Sequence, residues 1–324
     1  MSLRSNYTGA ETRVTMIIRN MPGTAGRGTT HAFPEHWPRE NNIICATARV
    51  AQHSLYPSDL SIKTVRHGRE TFLFDNASLT VDDHVYLILN GTRPYGSEIH
   101  SEKAVDTFSI FFRPGLVDEV FCSLVATLDE LLEVQDAPLR QAPQFYEHLL
   151  EHDELVSPVL RYIEKTCRSG HEDSAWYEEQ CRFLLQKMLQ KQHRLSGVMD
   201  VIKAVRRRTR AELFRRLLRA TDYMHARYDR PISLEDIAAT ACLTPHHFLC
   251  VFRQVFAITP WQFVLRKRVA EAQRLLVSSD MAVTEIGARI GFESRSSFFR
   301  SFRNLTGRSP QAYRGGRAVV ESNF

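Results

Sequence analysis

The feature that most constrains this chain is a segment written twice. "LEDIAATACLTPHHFLCVFRQVFAITP" (234–260) is followed by "VTEIGARIGFESRSSFFRSFRNLTGRSP" (283–310). Ile237 corresponds to Ile286 and Leu243 to Phe292 at an offset of 49, whereas Phe248 corresponds to Phe298, Phe252 to Phe302 and Pro260 to Pro310 at an offset of 50. One residue is therefore inserted in the turn of the second copy. Each copy reads as a short helix, a turn and a second helix. Thr244-Pro245 supplies an N-cap followed by proline at the first helical position, and Gly291 suits the left-handed backbone such a turn needs.

The second helix of the second copy has two faces. At 100° per residue, Phe298, Phe302 and Leu305 share one side, and Ser296, Arg300 and Arg303 share the opposite one. An outward arginine can pair bidentately with guanine, and its neighbours can anchor phosphates. Between the copies, Leu265, Val269, Ala272 and Leu276 recur at helical spacing. They predict a continuous connecting helix over 261–278, about 27 Å long at 1.5 Å per residue. A rod of that length would set two recognition helices in successive major grooves on one face of DNA, about 34 Å apart.

Charge follows the repeat. Residues 201–324 carry 22 Lys+Arg against 10 Asp+Glu, net +12, whereas residues 1–200 are net −7. A basic end on an acidic body points to a polyanion partner, since each phosphate neutralised releases counterions.

The first 40 residues or so are rich in Gly, Thr and Pro and read as a loose arm. From 42 to 113, short alternating runs ("NIICATARV", "SIKTVRH", "ETFLFD", "HVYLILN", "DTFSIFF") separated by turn residues predict a small β-barrel or sandwich. The period then becomes helical. Val117, Phe121, Leu124, Leu128 and Leu131 form a stripe that would serve as a dimer seam or pack onto the chain's own barrel. Helices are expected over 143–168 and 173–193, and "KAVRRRTR" (203–210) reads as a basic linker or the start of the next domain.

With these residues in place, the chain resembles the AraC/XylS family of bacterial transcription regulators. The resemblance covers about Leu213 to Arg314 and is carried above all by G-F-x-x-x-S-x-F-x-R-x-F-R-x-x-x-G-x-S-P-x-x-Y-R, from Gly291 to Arg314. It implies an α+β multidomain protein. The N-terminal part, 1–200, would be a cupin-like β-barrel (42–113) with dimerisation helices (116–195). A basic linker or the start of the first helix, 201–212, would lead to a DNA-binding domain over 213–316, with motifs at 234–256 and 283–305 and a short tail from 317 to 324. The resemblance places base-facing positions at His246, Leu249 and Cys250 in the first motif and at Arg295, Ser296 and Arg300 in the second, with Arg253 and Arg303 alongside.

The first motif departs from the family pattern. It has Leu249 and Cys250 where polar or basic residues are common, and Cys242 and Ala257 where glycine is common. Neither Leu249 nor His246 offers arginine's bidentate fork, so the second motif is expected to carry more of the specificity. The implied partners are double-stranded promoter DNA, RNA polymerase, a small-molecule effector and a second copy of the chain, and activation is the more usual outcome in the family.

Other chemistry finds little support. The six cysteines form no C-x-x-C pair, and no H-x-H pair with a following glutamate marks a metal site. No cofactor, no metal and no enzymatic activity are expected. A fused metal-dependent or cysteine-alkylating enzyme and an architectural protein without base readout are the rivals. In "YLILNGTRPYG", Tyr86, Asn90, Arg93 and Tyr95 are the candidate ligand contacts, with Arg93 suited to a carboxylate or to a surface ion pair. The first twenty residues lack a signal-peptide core, and runs such as "VYLIL" are too short to span a bilayer, so the expected location is the cytoplasm.

Overall fold

The computed structural model describes residues 15–19, 40–75, 77–125, 141–199, 201–202 and 207–320. It divides into two compact units, Met1–His193 and Arg194–Phe324.

The first unit is built on an eight-stranded sheet. Its strands are β1 (Met16–Ile18), β2 (Asn42–Tyr56), β3 (Ser61–Arg66), β4 (Arg69–Phe74), β5 (Ala77–Asp82), β6 (Val85–Leu89), β7 (Tyr95–Phe111) and β8 (Leu149–Glu151). The path runs β1-β2-β7-β3-β6-β8, with β4 branching onto β7 and carrying β5. Among the described residues this path does not return on itself, so the sheet is open where a barrel was expected. The long antiparallel pair β2 and β7 is its spine, and breaks in register between Ala48 and Val50 and between His53 and Tyr56 bend it.

One face of the sheet gathers Ile44, Ala46, Val65, Phe72, Val85, Leu87, Tyr95, Ile99 and Phe111 into a single core. Strand β3 is buried at five successive positions, from Ser61 to Val65, because both of its faces are covered. Its alternation therefore carries no outward signal.

Among the described residues three helices accompany the sheet: α1 (Leu116–Val125), α2 (Ser157–Arg168) and α3 (Ser174–Met199). The helix expected over 143–168 begins only at Ser157. The segment before it pairs as β8 with β6, Leu149 opposite Leu87 and Glu151 opposite Val85. Arg113, nearly buried, fixes the start of α1 with two bonds of 2.8 Å to Glu119 and reaches Glu178 of α3 at 3.4 Å. Hydrogen bonds from Arg113 and Arg182 hold the Glu119 carboxyl down at about 2, against its burial.

The second unit is entirely helical among its described residues. It comprises α4 (Arg207–Arg227), α5 (Leu234–Thr240), α6 (Pro245–Phe256), α7 (Pro260–Ser278), α8 (Val283–Arg289), α9 (Arg295–Thr306) and α10 (Pro310–Val320). No single described helix is long and apolar enough to cross a membrane.

Candidate nucleic-acid interface

The repeat in the sequence is a repeat of hydrogen bonds. In the first copy the N–H of Leu243 donates to Ala238 O at 3.1 Å and that of Cys242 to Ala239 O at 2.9 Å. In the second, Phe292 donates to Gly287 O at 3.0 Å and Gly291 to Ala288 O at 3.1 Å. The helices that follow start on equivalent caps: Thr244 Oγ1 accepts from His247 N–H at 3.4 Å, and Ser294 Oγ accepts from Ser297 N–H at 3.2 Å. They end alike, Ala257 N–H donating to Arg253 O at 3.0 Å and Gly307 N–H to Arg303 O at 2.9 Å.

The residues that close these turns share left-handed φ values: 51° at Cys242 and 87° at Gly291, 56° at Ala257 and 75° at Gly307. The fold thus demands the same backbone in both copies, although only the second supplies glycine for it.

Aromatic packing anchors each recognition helix. Phe248 and Phe252 are fully buried in α6, as are Phe298 and Phe302 in α9. Phe252 meets Phe263 at 6.1 Å, and its counterpart Phe302 meets Tyr313 edge-on at 5.5 Å. Leu305, expected on the same buried face, is 46% exposed, because the last turn of α9 runs beyond the core.

With the phenylalanines fixed inside, the opposite face is presented outward. Arg295, Ser296, Arg300 and Arg303 are all exposed on α9. On α6, His246, Cys250 and Arg253 are exposed and Leu249 is half-buried. The Arg295 guanidinium leans on the Phe299 ring one turn later, 5.0 Å from its centroid. The outward set therefore pairs Pro245 with Arg295, His246 with Ser296, Cys250 with Arg300 and Arg253 with Arg303.

The connecting helix α7 holds the copies through a junction that the sequence pattern did not single out. Thr259 caps it in a reciprocal box with Gln262, at 2.8 and 3.1 Å. Arg268 is buried and donates to Tyr228 O at 2.7 Å and Arg230 O at 3.0 Å, just beyond the end of α4. Burial lowers its pKa from the usual arginine value. Gly291 lies against the same junction: a Cβ there would stand 2.8 Å from the Asp229 carbonyl carbon and 3.0 Å from Arg268 Nη2.

In the first unit the four predicted ligand contacts do not converge. Tyr86 lies on the face of β6 opposite the core residues Val85, Leu87 and Leu89, and its hydroxyl donates to Asp153 Oδ2 at 3.0 Å. Tyr95 lies within the core, its hydroxyl 3.4 Å from Ser58 Oγ. Asn90 brackets Phe145, donating to its carbonyl at 2.8 Å and accepting from its N–H at 2.9 Å. Arg93 forms the surface ion pair, to Glu147 at 3.4 Å, and stacks on Phe74.

A different polar set occupies the core face. Lys63 is 2% exposed, with its ammonium 3.2 Å from the Phe111 ring centroid. Glu70, also buried, accepts from Thr107 Oγ1 at 2.7 Å. Burial moves the two in opposite directions, Lys63 far down and Glu70 up, each partly restrained by the other's charge. Ser61 Oγ is buried without a hydrogen-bond partner. Of the expected dimer stripe, Val117 and Phe121 are half-buried and Leu124 is 42% exposed, while Leu116 and Val120 pack inward. Leu128 and Leu131 lie outside the described residues.

Two helix-turn-helix units joined by one helix, with aromatic faces inward and basic residues outward, define a tandem helix-turn-helix DNA-binding domain. Residues 237–316 match a family described as "Helix-turn-helix domain". Over 92 residues the chain is 34% identical to the probable transcriptional regulator LumQ of Photobacterium leiognathi, covering 28% of this chain and 37% of that protein. Over 87 residues it is 30% identical to the melibiose operon regulatory protein of Escherichia coli (strain K12), covering 27% of this chain and 29% of that one. Among solved structures, a transcriptional regulator from Chromobacterium violaceum described as having an AraC-type DNA-binding domain aligns at 28% identity. That alignment covers 32% of this chain and 92% of the other, with a TM-score of 0.31. Residues 237–316 are an AraC-type helix-turn-helix domain. The chain spans about a third of the length of the curated relatives it matches.

Proposed function

We propose that the protein is a sequence-specific transcription regulator that reads two successive major grooves with α6 and α9. The observation that carries this reading is the paired presentation of outward side chains on two copies of one scaffold, with Arg295, Ser296, Arg300 and Arg303 exposed on the second. A solvated surface would require neither the duplication nor the matching caps. The 19-residue α7 is about 28 Å long at 1.5 Å per residue, a length suited to one turn of B-DNA.

The first unit acts as an effector sensor in this reading. Its support is the buried polar set around Lys63 and Glu70, an expensive arrangement in a core otherwise built of aliphatic and aromatic side chains. An effector bound there shifts the population of DNA-competent molecules. The partly exposed face of Val117, Phe121 and Leu124 is the homodimer contact. RNA polymerase contact, and with it activation, follows the family resemblance.

Binding-site selection from random DNA, with the full chain at a fixed and stated salt concentration, tests the base-reading claim. The expected product is a motif with two contact blocks about 10 base pairs apart. Affinity nearly independent of sequence, with a steep salt slope, would instead identify an architectural DNA-binding protein and overturn the reading.

A further inference from the structure

Two cysteines that the DNA-binding reading does not use are brought together inside the first unit. Cys45 lies in the middle of the β2–β7 spine, opposite Phe108, and Cys167 lies in the last turn of α2. Ile44 and Ala46 point into the sheet's core cluster, so Cys45 and Thr47 point to the other face, toward α2.

Charged contacts seat the end of α2 on that face. Arg168 reaches Asp106 at 3.5 Å, and Asp106 accepts from Thr47 Oγ1 at 2.6 Å. Glu164 reaches Arg66 of β3 at 3.8 Å. Cys167, buried on the inward face of α2, thus comes down on the side of the sheet that carries Cys45.

Buried cysteines are usually small hydrophobic fillers, with thiols kept protonated by burial, as burial raises that of Cys181 in α3. The surroundings of Cys167 differ. The Cys45 thiol, the Tyr177 hydroxyl and the guanidiniums of Arg19 and Arg168 stand near; together they bring it down to about 7 against its burial. Cys45 is pushed up, chiefly by the neighbouring Cys167 and by burial. One thiol is thereby set as nucleophile and the other as its resolving partner.

We propose that Cys45 and Cys167 are a peroxide-oxidisable pair whose disulfide ties α2 to β2. The Cys167 thiolate attacks one oxygen of hydrogen peroxide, the O–O bond breaks, and the departing hydroxide takes up a proton as water, leaving Cys167 as a sulfenic acid. The Cys45 sulfur then attacks the Cys167 sulfur. The S–O bond breaks, and the hydroxide leaves with the thiol proton as a second water. In sum, two thiols and one peroxide give one disulfide and two waters. Cys167 is 0% exposed and Cys45 is 6% exposed, which excludes a bulky disulfide such as oxidised glutathione as the oxidant.

The test exposes the reduced full chain to hydrogen peroxide, alkylates the remaining thiols after denaturation and maps peptides by mass. Two of the six thiols should become resistant to alkylation and appear as one Cys45–Cys167 linked peptide. In Cys45→Ser the sulfenic acid should persist at Cys167 and be trapped by dimedone. In Cys167→Ser, Cys45 should remain alkylatable. Oxidation confined to the exposed Cys242 and Cys250, with Cys45 and Cys167 recovered as thiols in the unsubstituted chain, would overturn the proposal without reliance on any variant.

Discussion

The two helix-turn-helix copies share a skeleton and differ in how each part of it is stabilised. Hydrogen bonds, left-handed turn positions and buried phenylalanines correspond one for one. The first copy begins on a side-chain cap, Ser233 Oγ accepting from Asp236 N–H at 3.0 Å, whereas its counterpart Ala282 has no side-chain cap. The second copy has glycine at both left-handed positions, whereas the first places Cys242 and Ala257 there. Each copy thus lacks a local device that the other possesses. Tertiary packing imposes the backbone, and local preference only adjusts its cost. Outward chemistry diverges further: of the four outward pairs, only Arg253 and Arg303 are alike.

The comparison can be broken most severely at the anchors. Phe252→Ala and Phe302→Ala should each destabilise the second unit by about 3–5 kcal/mol. The two losses in denaturant melts should agree to within about 1 kcal/mol, within the usual spread of core truncations. A large disparity would mean that the copies do not share one core.

Next in size is an asymmetric pair. Gly291→Ala adds a Cβ 2.8 Å from the Asp229 backbone at a φ of 87°, so it should cost about 2–3 kcal/mol by overpacking and backbone strain. Cys242→Ala at the corresponding turn already has a Cβ and is exposed, so it should be nearly neutral. Equal losses in thermal or urea melts would remove the idea that Gly291 serves a close approach as well as a turn.

The repeat was legible because it rests on side chains whose burial is periodic. Phe248, Phe252, Phe298 and Phe302 recur at a fixed offset; on α9 they are the buried residues, and on α6 only Val251 joins them. Arg268 was not legible: it sits on a helix with Arg266 and Lys267, and only the fold turns it inward to the carbonyls beyond α4. Strand β8 was missed because the apolar residues 149 and 150 precede a helical run, and so short a pair carries no period. The Lys63–Glu70 pair was hidden for a different reason. In "SIKTVR" a lysine reads as solvent-facing, yet it shares the core face of β3 with Val65, two residues on. The expected ligand contacts do not gather because Tyr86 lies on the face of β6 opposite the core whereas Tyr95 lies within it, and Arg93 is held at the surface by Glu147, which a linear motif cannot convey.

Divergence of the reading surfaces is tested by binding. Arg300→Ala should cost about 1–3 kcal/mol of discrimination at one base pair, the value of a bidentate contact to guanine. Cys250→Ala, the same position in the first copy, should change affinity little. Site selection with each variant measures this, and equal loss of specificity would sink the division of labour between α6 and α9. Arg253→Ala and Arg303→Ala sharpen the contrast: if both arginines contact phosphates, each should weaken binding across all sequences and lower the salt slope by about 1.

The smallest expected effects run in the stabilising direction. Cys242→Gly and Ala257→Gly would each relieve a left-handed residue, by up to about 1 kcal/mol, offset in part by glycine's larger entropy loss on folding. Ala282→Ser would give α8 the cap that Ser233 provides for α5, worth about 1 kcal/mol. The three sites are separated along the chain, so the gains should add if the copies are independent scaffolds. A triple variant whose thermal midpoint rises by less than the best single one would show that relaxing the first copy strains the second through α7. Arg268 provides the route for that coupling, because the side chain that braces the end of α4 also stands against the turn at Gly291.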